Sequence, residues 1–358
     1  MGWTAQGPTD RAVRLTSFAD FESEFGSLDS RALLPYSVKQ FYDNGGTDAY
    51  VLRIARDGDD GTVLKVDDSD FSAALMTSIG PGGASEQIDL FNLLCVPGLT
   101  EHATIASLQS FCKARRAFLI VDCPETETAA TVLAKVSALT AGDAMNSAFY
   151  FPWVRWPDPS QAGAKRNFPP CGFVAGIYAR TDSAQGVWKA PAGRAASLIG
   201  AVGLSTRLSS AQNDQLNPLG INCLRTFPGH GTVVWGSRTL HGADGMGSEW
   251  KYVPVRRMAL FLEESIYLGT QWVTSEANDE QLWGEIRLSI GAFMQSLFLK
   301  GAFRGTTPSR AYFVKCDSDT TTQADVAQGR LNVVVGFAPL KPAEFVIITL
   351  QQMVPSEG

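Results

Sequence analysis

Apolar side chains recur at helical spacing in two long stretches of the carboxy-terminal half of the chain. The first begins at Pro254, which suits a first helical turn, and continues through Val255, Met258, Leu262 and Ile266. The second has Asn278 as its expected cap and Lys300–Gly301 as its stop. Its apolar stripe consists of Leu282, Ile286, Ile290, Phe293 and Leu297. Both patterns predict amphipathic helices.

Short apolar runs alternate with helical patterns earlier in the chain. Helices are predicted at residues 18–25 and 34–44, and a strand at 49–54. Between residues 88 and 180, the predicted strands are 90–96, 117–121 and 147–154, and the predicted helices are 101–116, 127–139 and 172–179. Strands separated by single helices usually pair in parallel, so this segment is predicted to be an α/β layer. After the two long helices, strands are expected at 311–316, 331–337 and 344–351, with a short helix at 322–328.

Breaks in these patterns divide the chain. An acidic, glycine-rich stretch begins at Asp57, and the residues after it lack strong periodicity. The predicted division makes residues 1–56 and 195–358 two parts of one discontinuous core, with 57–86 as a small insertion or linker and 87–194 as a central α/β domain. The predicted fold class is therefore α+β with an α/β unit of the βαβ type.

Composition and charge exclude several classes of function. The 358 residues are 45% hydrophobic and only 18% charged, which is a low charge content for a soluble domain. Thirty basic against 36 acidic residues give a net charge of −6, and no run of Lys or Arg forms a stripe that would follow phosphates. Nucleic acid is therefore not an expected partner. The longest apolar run, 195–204, is too short for a membrane span of about 20 residues.

The cysteines are scattered through apolar segments, without any Cys-x-x-Cys pair. They are Cys95, Cys112, Cys123, Cys171, Cys223 and Cys316. A thiol in such a segment packs as a small hydrophobe, so we expect free, buried cysteines. That expectation fits a protein that folds in a reducing cytoplasm.

Two places deserve comparison with catalytic sites. Asp122 follows an apolar strand, where α/β enzymes often keep a catalytic acid, although a carboxylate that caps the following turn is the commoner case. Cys223 and His230 are near each other in sequence, which is not the spatial pairing that activates a thiol. An α/β enzyme with a site at Asp122, or at Cys223 and His230, stays open as an alternative.

Metal and cofactor motifs are not found in the sequence. Two acidic clusters suggest calcium, namely Asp57, Asp59 and Asp60, and Asp317, Asp319 and Asp325. Neither matches an EF-hand loop, since Thr322 stands where the loop that would start at Asp317 needs glycine. The histidines and glycines do not have the spacing of a helical zinc site, a dinucleotide fingerprint or a phosphate loop. No metal and no cofactor is therefore predicted.

The most informative segment, residues 217–240, alternates turn residues with short apolar strands. Asn217–Pro218 favours a turn, Gly220 can adopt backbone angles closed to other residues, and Val233–Trp235 is predicted to be a buried strand. The candidate residues of this structural motif are Asn217, Pro218, Gly220, Asn222, Arg225, Trp235, Gly236 and Arg238. They indicate a shape rather than a chemical reaction.

This segment, Asn-Pro-x-Gly-Ile-Asn followed by Arg225 and Val-Trp-Gly-x-Arg-Thr-Leu, resembles the signature of the tail sheath family of contractile phages and phage-tail-like injection particles. Other collinear blocks resemble the same family, at residues 16–26 with 41–53, at 176–192 and at 337–345. The resemblance implies a structural subunit that is not an enzyme and needs no cofactor. Such subunits stack as hexameric rings around an inner tube in a metastable extended state, and contraction drives the tube through a target envelope.

The resemblance also implies partners and a location. The expected partners are other copies of the subunit, the inner tube protein, and baseplate and tail-terminator proteins, without nucleic acid and without membrane insertion. Assembly is expected in the bacterial cytoplasm, and the product is a phage tail or a phage-tail-like particle. A baseplate or adaptor component built on the same core is a second alternative.

The chain termini are the expected joints between subunits. The candidate assembly residues form a predicted terminal strand, Glu344, Phe345, Val346, Ile347, Ile348, Thr349 and Leu350. Family members usually begin with a further extended segment, ahead of the strand that here starts at Gly2. The resemblance implies that this arm pairs with a neighbour's sheet, so we expect the chain to start inside that strand and one sheet edge to be vacant.

Overall fold

The structure is a computed structural model that describes residues 1–56, 58 and 61–342. Its helices are α1 (Phe18–Phe25), α2 (Leu34–Asp43), α3 (Ser69–Ile79), α4 (His102–Ala114), α5 (Val132–Ser137), α6 (Cys171–Gln185), α7 (Ser210–Leu216), α8 (Val253–Gly269), α9 (Glu280–Leu299), α10 (Pro308–Ala311) and α11 (Gln323–Ala327). Its strands are β1 (Val13–Leu15), β2 (Ala49–Val51), β3 (Leu93–Cys95), β4 (Phe118–Asp122), β5 (Ser147–Phe151), β6 (Val154–Asp158), β7 (Ala164–Phe168), β8 (Gly203–Leu204), β9 (Ile221–Phe227), β10 (Gly231–Val234), β11 (Tyr312–Lys315) and β12 (Val334–Phe337).

A five-stranded sheet in the order β10-β9-β5-β4-β3 forms the centre of the fold. Strands β3, β4, β5 and β9 are parallel, and β10 returns antiparallel to β9. Side chains alternate between the two faces: Phe118 and Ile120 pack with α2 and α6, while Leu119 and Val121 pack with α3, α4 and α5. The sheet is thus the middle of three layers, and the predicted parallel α/β unit is confirmed.

Three smaller sheets surround this centre. Strands β1 and β2 form an antiparallel pair, β6 lies between β7 and β8, and β11 pairs with β12. The β11–β12 pair packs with α8 and α9 around buried Ile286, Ile290 and Met294. The predicted α+β class therefore holds, with the two long helices covering the last sheet.

Most predicted helices are present, with bounds that differ by a few residues, but some elements differ in kind. Helix α9 is capped by Asp279, whose carboxylate accepts the backbone N–H of Leu282 at 3.0 Å, so the prediction of Asn278 as the cap is wrong. Asn278 instead accepts the indole N–H of Trp283 at 2.8 Å. Helix α5 is shorter than predicted. Helix α3 and the β6–β7 hairpin were not predicted.

The five-stranded sheet crosses the predicted boundary at residue 194. Strand β5 lies before that boundary and pairs with β9, which lies after it, through Phe149 with Ile221 and Tyr150 with Asn222. Helix α2 of the amino-terminal part packs on α6, and Asn44 accepts the N–H of Ile199 at 2.8 Å. The division into four segments stays a prediction, and the sheet does not follow it. The predicted strand 344–351, and Asp57, Asp59 and Asp60, lie outside the described residues.

Candidate functional site

The signature segment folds as a turn, a hairpin and a return loop. A single turn of 3-10 helix at Asn217–Leu219 ends at Gly220, whose φ of 85° is in the left-handed region. Strands β9 and β10 follow as an antiparallel hairpin with His230 in its exposed turn. The chain then returns past β9, where the N–H of Trp235 donates to the carbonyl of Cys223 at 2.9 Å.

Asn222 joins three parts of this arrangement. Its side chain is fully buried, and its amide nitrogen donates to the carbonyl oxygens of Phe149 at 3.1 Å and Arg238 at 2.7 Å. Its amide oxygen accepts the backbone N–H of Arg238 at 2.6 Å. One side chain therefore forms hydrogen bonds with backbone groups of both β5 and the return loop.

Gly236 is required by the same joint. A Cβ atom at this position would lie 2.8 Å from the amide oxygen of Asn222 and 2.9 Å from its Cα. Such distances are too short for carbon, so any larger residue would push the return loop away from β9. The glycine of the signature thus permits the close approach that the asparagine uses.

Arg238 connects this buried joint to the loop that leads into α8. Its guanidinium is fully buried and donates to the carbonyl of Gly242 and to a carboxylate oxygen of Asp244, both at 2.9 Å. The ammonium of Lys251 donates to the same oxygen at 2.6 Å. Hydrogen bonds from Lys251, and the nearby charge of Arg238, lower the pKa of Asp244.

Backbone pairing also holds the return loop against the residue before α8, since Arg238 and Tyr252 form an antiparallel bridge. In addition, the N–H of Val253 donates to the carbonyl of Ser237 at 2.9 Å. Asp244 and Lys251 were not singled out in the sequence. Their spacing from Arg238 follows no helical or strand period, so no local signal marks them.

Three motif residues face outward instead. Arg225 lies over the ring of Phe227 at 4.9 Å and near that of Trp235 at 6.0 Å, and the two rings are 4.6 Å apart. Trp235 is 38% exposed, and Pro218 lies with it along a surface cleft of about 730 Å³. The signature therefore contributes a buried joint, made by Asn222, Gly236 and Arg238, and an exposed aromatic surface.

Asp122 makes hydrogen bonds to the backbone of two other segments. Its two carboxylate oxygens accept the backbone N–H of Gly98 at 3.0 Å and of Cys171, the first residue of α6, at 2.8 Å. Burial raises its pKa to about 6, against the lowering effect of these hydrogen bonds. In the commoner case, such a carboxylate caps the turn after its own strand. The Asp122 carboxylate does not. It ties the end of β4 to two other segments.

The structure separates Cys223 from His230. Cys223 lies inside the sheet, paired with Phe151 of β5, and burial raises the pKa of its thiol to about 12. His230 is exposed in the hairpin turn beyond the end of β9. A thiol with this pKa stays protonated at neutral pH, so the pair does not form an activated nucleophile.

Other predictions about sites can be compared with the described residues. All six cysteines are free; five are buried as expected, whereas Cys95 is only half-buried. Within residues 1–56, 58 and 61–342, no group of His, Cys, Asp and Glu side chains could hold a metal ion. Across the same ranges, no helix has the length and apolar character that crossing a bilayer would require.

In the described residues, the signature segment forms a joint of buried side chains that fastens the central sheet to the loop leading into α8, which is a structural arrangement. Family models give the particular family: the phage tail sheath protein central domain matches residues 84–240, and the phage tail sheath C-terminal domain matches residues 246–353. The chain belongs to the phage tail sheath family.

Individual proteins agree with this assignment. A Pseudomonas aeruginosa protein described as a prophage major tail sheath protein is 26% identical over 259 residues, which are 70% of this chain and 62% of that protein. The chain thus spans less than two thirds of that relative.

Among solved structures, a chain of the PVC sheath complex in contracted state, from an extracellular contractile injection system, is similar with a TM-score of 0.79 and 29% identity, covering 98% of this chain and 89% of that one. A chain of the anti-feeding prophage baseplate gives 0.77 and 28%, covering 97% and 89%.

Proposed function

We propose that this protein is the subunit of a contractile sheath, which polymerises around an inner tube and contracts from a metastable extended state to drive the tube through a target envelope. The observation that carries the proposal is the likeness to the contracted sheath complex over 98% of this chain. A likeness that covers nearly the whole chain, and not only a core, supports a similar mode of assembly.

The β11–β12 pair supplies a surface for joining subunits. Within the described residues it has only two strands, and Phe313 and Val334 are 48% and 45% exposed. A two-stranded sheet is marginally stable alone, and its edges offer unpaired N–H and C=O groups to another strand. Strand addition from a neighbouring copy would bury both apolar side chains and keep subunits tethered as they move. Residues 344–350 are the candidate donor.

Contraction requires little free energy from each subunit. Two alternative sets of contacts between subunits need to differ by only a few kcal/mol, because the difference is summed over many copies. The energy is stored at assembly, so neither a cofactor nor a catalytic residue has a part in the proposal. The buried joint at Asn222 and Arg238 would keep each subunit rigid while its contacts change.

The proposed partners follow from this role. They are other copies of the chain, arranged as stacked hexameric rings, together with an inner tube protein and baseplate and tail-terminator proteins. Assembly in the bacterial cytoplasm, before the particle is released, completes the proposal.

The likeness to a chain in a baseplate structure favours a second candidate, a subunit of a single ring at the baseplate. The two candidates differ in copy number. A sheath has many rings along the tube, whereas a baseplate component has one.

Electron microscopy of particles from the source, with this chain labelled by a small epitope, tests the proposal. We expect label along the whole length of a tube that exists in a long, narrow form and a short, wide form. Label restricted to one end of the tube would contradict the sheath proposal and favour the baseplate candidate. Intact particles without label would contradict both.

A further inference from the structure

Two cysteines meet between the central sheet and a helix that covers it. Cys95 ends β3, the edge strand of the five-stranded sheet, and Cys171 is the first residue of α6. The Sγ atom of Cys95 lies 3.7 Å from the carbonyl oxygen of Cys171. A sulfur this near to another residue's main chain brings the two Cα atoms close to the separation of about 4 to 7 Å that a disulfide spans.

The other four cysteines lie elsewhere in the fold. Cys95 and Cys171 pack together on the face of the sheet that α2 and α6 cover. Cys112, Cys123 and Cys223 pack on the opposite face, and Cys316 belongs to the cluster around α9. A disulfide cannot pass through a packed sheet. Among the six cysteines, all of which are in the described residues, Cys171 is therefore the partner that Cys95 can reach.

The two thiols differ in exposure. Cys95 is half-buried and borders a surface groove of about 570 Å³, so it is the thiol that a small reagent in solution meets. Cys171 is buried, and burial, together with the Cys95 thiol beside it, raises the pKa of the Cys171 thiol well above its ordinary value. Such a thiol stays protonated and does not react with a solute directly. It reacts only with an electrophile that forms next to it.

The Asp122 carboxylate lies next to the buried cysteine. It accepts the backbone N–H of Cys171 at 2.8 Å, which holds the first residue of α6 in place. Burial raises the pKa of Asp122 to about 6, so most of this carboxylate is ionised at neutral pH and is a base inside the fold. A proton that leaves Cys171 therefore has an acceptor close by.

We propose that Cys95 and Cys171 are a redox pair, which forms an intramolecular disulfide when the folded protein meets a small oxidant such as glutathione disulfide. The Cys95 thiolate attacks one sulfur of the oxidant, which gives a mixed disulfide and releases a first glutathione thiolate, and that thiolate takes up a proton. The Cys171 sulfur then attacks the Cys95 sulfur. Its proton passes through Asp122 to the second glutathione as that thiolate leaves. Two cysteine thiols are oxidised, and one glutathione disulfide is reduced to two thiols.

The disulfide would tie the edge strand of the central sheet to its covering helix. A reducing cytoplasm keeps such thiols reduced, so the bond would form only after the protein enters an oxidising environment. The two cysteines are 76 positions apart, and a cross-link over such a distance stabilises the folded chain by restricting the unfolded one. The chemistry of the pair does not depend on the sheath function proposed above.

Treatment of the folded full chain with glutathione disulfide tests the proposal. Acid quenching, alkylation of the remaining thiols and peptide mapping by mass spectrometry identify the product. We expect one linked pair of peptides, which contain Cys95 and Cys171, and alkylation of the other four cysteines. Oxidation should also raise the melting temperature by about 5 °C.

Three variants separate the two steps. Cys171→Ser should stop at the mixed disulfide on Cys95 and keep its melting temperature, and Cys95→Ser should leave Cys171 as a thiol. Cys112→Ser, which changes a buried cysteine on the opposite face of the sheet, is the matched control and should form the same disulfide as the wild type.

A lasting glutathione adduct on Cys95 of the wild type, without the internal disulfide, would overturn the proposal. Six unmodified thiols after the same treatment, or a link from Cys95 to any other cysteine, would do the same. These outcomes are measured on the unsubstituted protein, so they stand even where a buried serine disturbs the folding of a variant. An equal rise in melting temperature for wild type and Cys171→Ser would also contradict it.

Discussion

The central sheet and the β11–β12 pair are both built from short apolar strands, but they differ in what covers them. Every residue of β4 and β5 is buried, whereas each residue of β11 and β12 is at least partly exposed. Phe118 in the middle of the central sheet is fully buried, and Phe313 of β11 is 48% exposed. The central sheet finds its partners within the chain. The β11–β12 pair keeps apolar surface that only another strand or another molecule would cover.

The polar groups show the same contrast. In the centre, Asn222, Asp122 and Arg238 are each buried and bonded to backbone groups of other segments. Leaving such groups unpaired would cost free energy, so each of them fixes one arrangement of the chain. Beside the β11–β12 pair there is a smaller counterpart, the buried Thr321, whose hydroxyl accepts the backbone N–H of Asn332 at 3.0 Å. The first region is therefore built to remain unchanged, and the second is suited to a change of partner.

The largest expected effect on stability is that of Asn222→Ala. The substitution removes three hydrogen bonds that the buried side chain makes to backbone groups of β5 and the return loop. We expect the free energy of unfolding to fall by about 3 kcal/mol or more, measured by urea denaturation. Asn167→Ala, which removes an exposed hydrogen bond to Glu125, is the control and should change it by about 0.5 kcal/mol or less. Equal effects would break the contrast between buried and exposed polar groups.

Some elements of the fold could be predicted from the sequence and others could not. Helix α9 was predictable because its apolar residues recur over 20 positions. Helix α3 was not, since only Phe71 and Leu75 of its residues are buried and an acidic break precedes it. The β6–β7 hairpin was not predictable either, because Pro157 and the polar turn after Asp158 interrupt the strand pattern.

The buried joint could be predicted from the sequence only in part. Asn222, Gly236 and Arg238 belong to a signature that the sequence displays, but their contacts with β5 and Asp244 span distances that follow no period. The connection from β5 to β9 is long and contains β6, β7, α6, β8 and α7, so their pairing is not a simple βαβ unit. Long-range pairing depends on the whole chain, and local propensity does not report it.

The next effect depends on pH and concerns Asp122. Its pKa in the folded protein is about 6, above the usual value for an unfolded chain, so folding binds a proton. This contribution to stability is present below about pH 4 and is lost as the pH rises through about 6. Relative to Asp122→Asn, the wild type should lose about 3 kcal/mol between pH 4 and pH 7.

Asp158 supplies a control of opposite sign. Burial alone would raise its pKa, but hydrogen bonds from Arg166 and Ser160 outweigh burial and lower it. Stability that involves Asp158 should therefore be lost as the pH falls below the usual value for an aspartate. Thermal unfolding of wild type, Asp122→Asn and Asp158→Asn from about pH 2 to about pH 7 checks both. Parallel pH profiles for the two variants would refute the distinction.

A smaller effect is expected of Gly236→Ala. The added methyl group would lie 2.8 Å from the amide oxygen of Asn222, so the return loop must move, at a cost of about 2 kcal/mol. Gly245→Ala is matched to it, because a Cβ atom there would meet nothing within 4 Å. That control should stay within about 0.5 kcal/mol of the wild type. Similar melting temperatures for the two variants would mean that the joint is looser than its distances indicate.

The smallest effect on the subunit, with the largest effect on assembly, is expected of Phe313→Asp. The ring is already 48% exposed, so its loss should lower the free energy of unfolding by only about 1 kcal/mol. A charge on this strand should nevertheless prevent strand addition, because charged side chains are what keep sheet edges from pairing. We expect folded subunits that no longer form sheaths in electron micrographs. Leu133→Asp on α5, where the leucine is 41% exposed, should leave assembly intact. Sheaths of normal length formed by the Phe313 variant would show that subunits are joined elsewhere, and the β11–β12 pair would then be as self-sufficient as the central sheet.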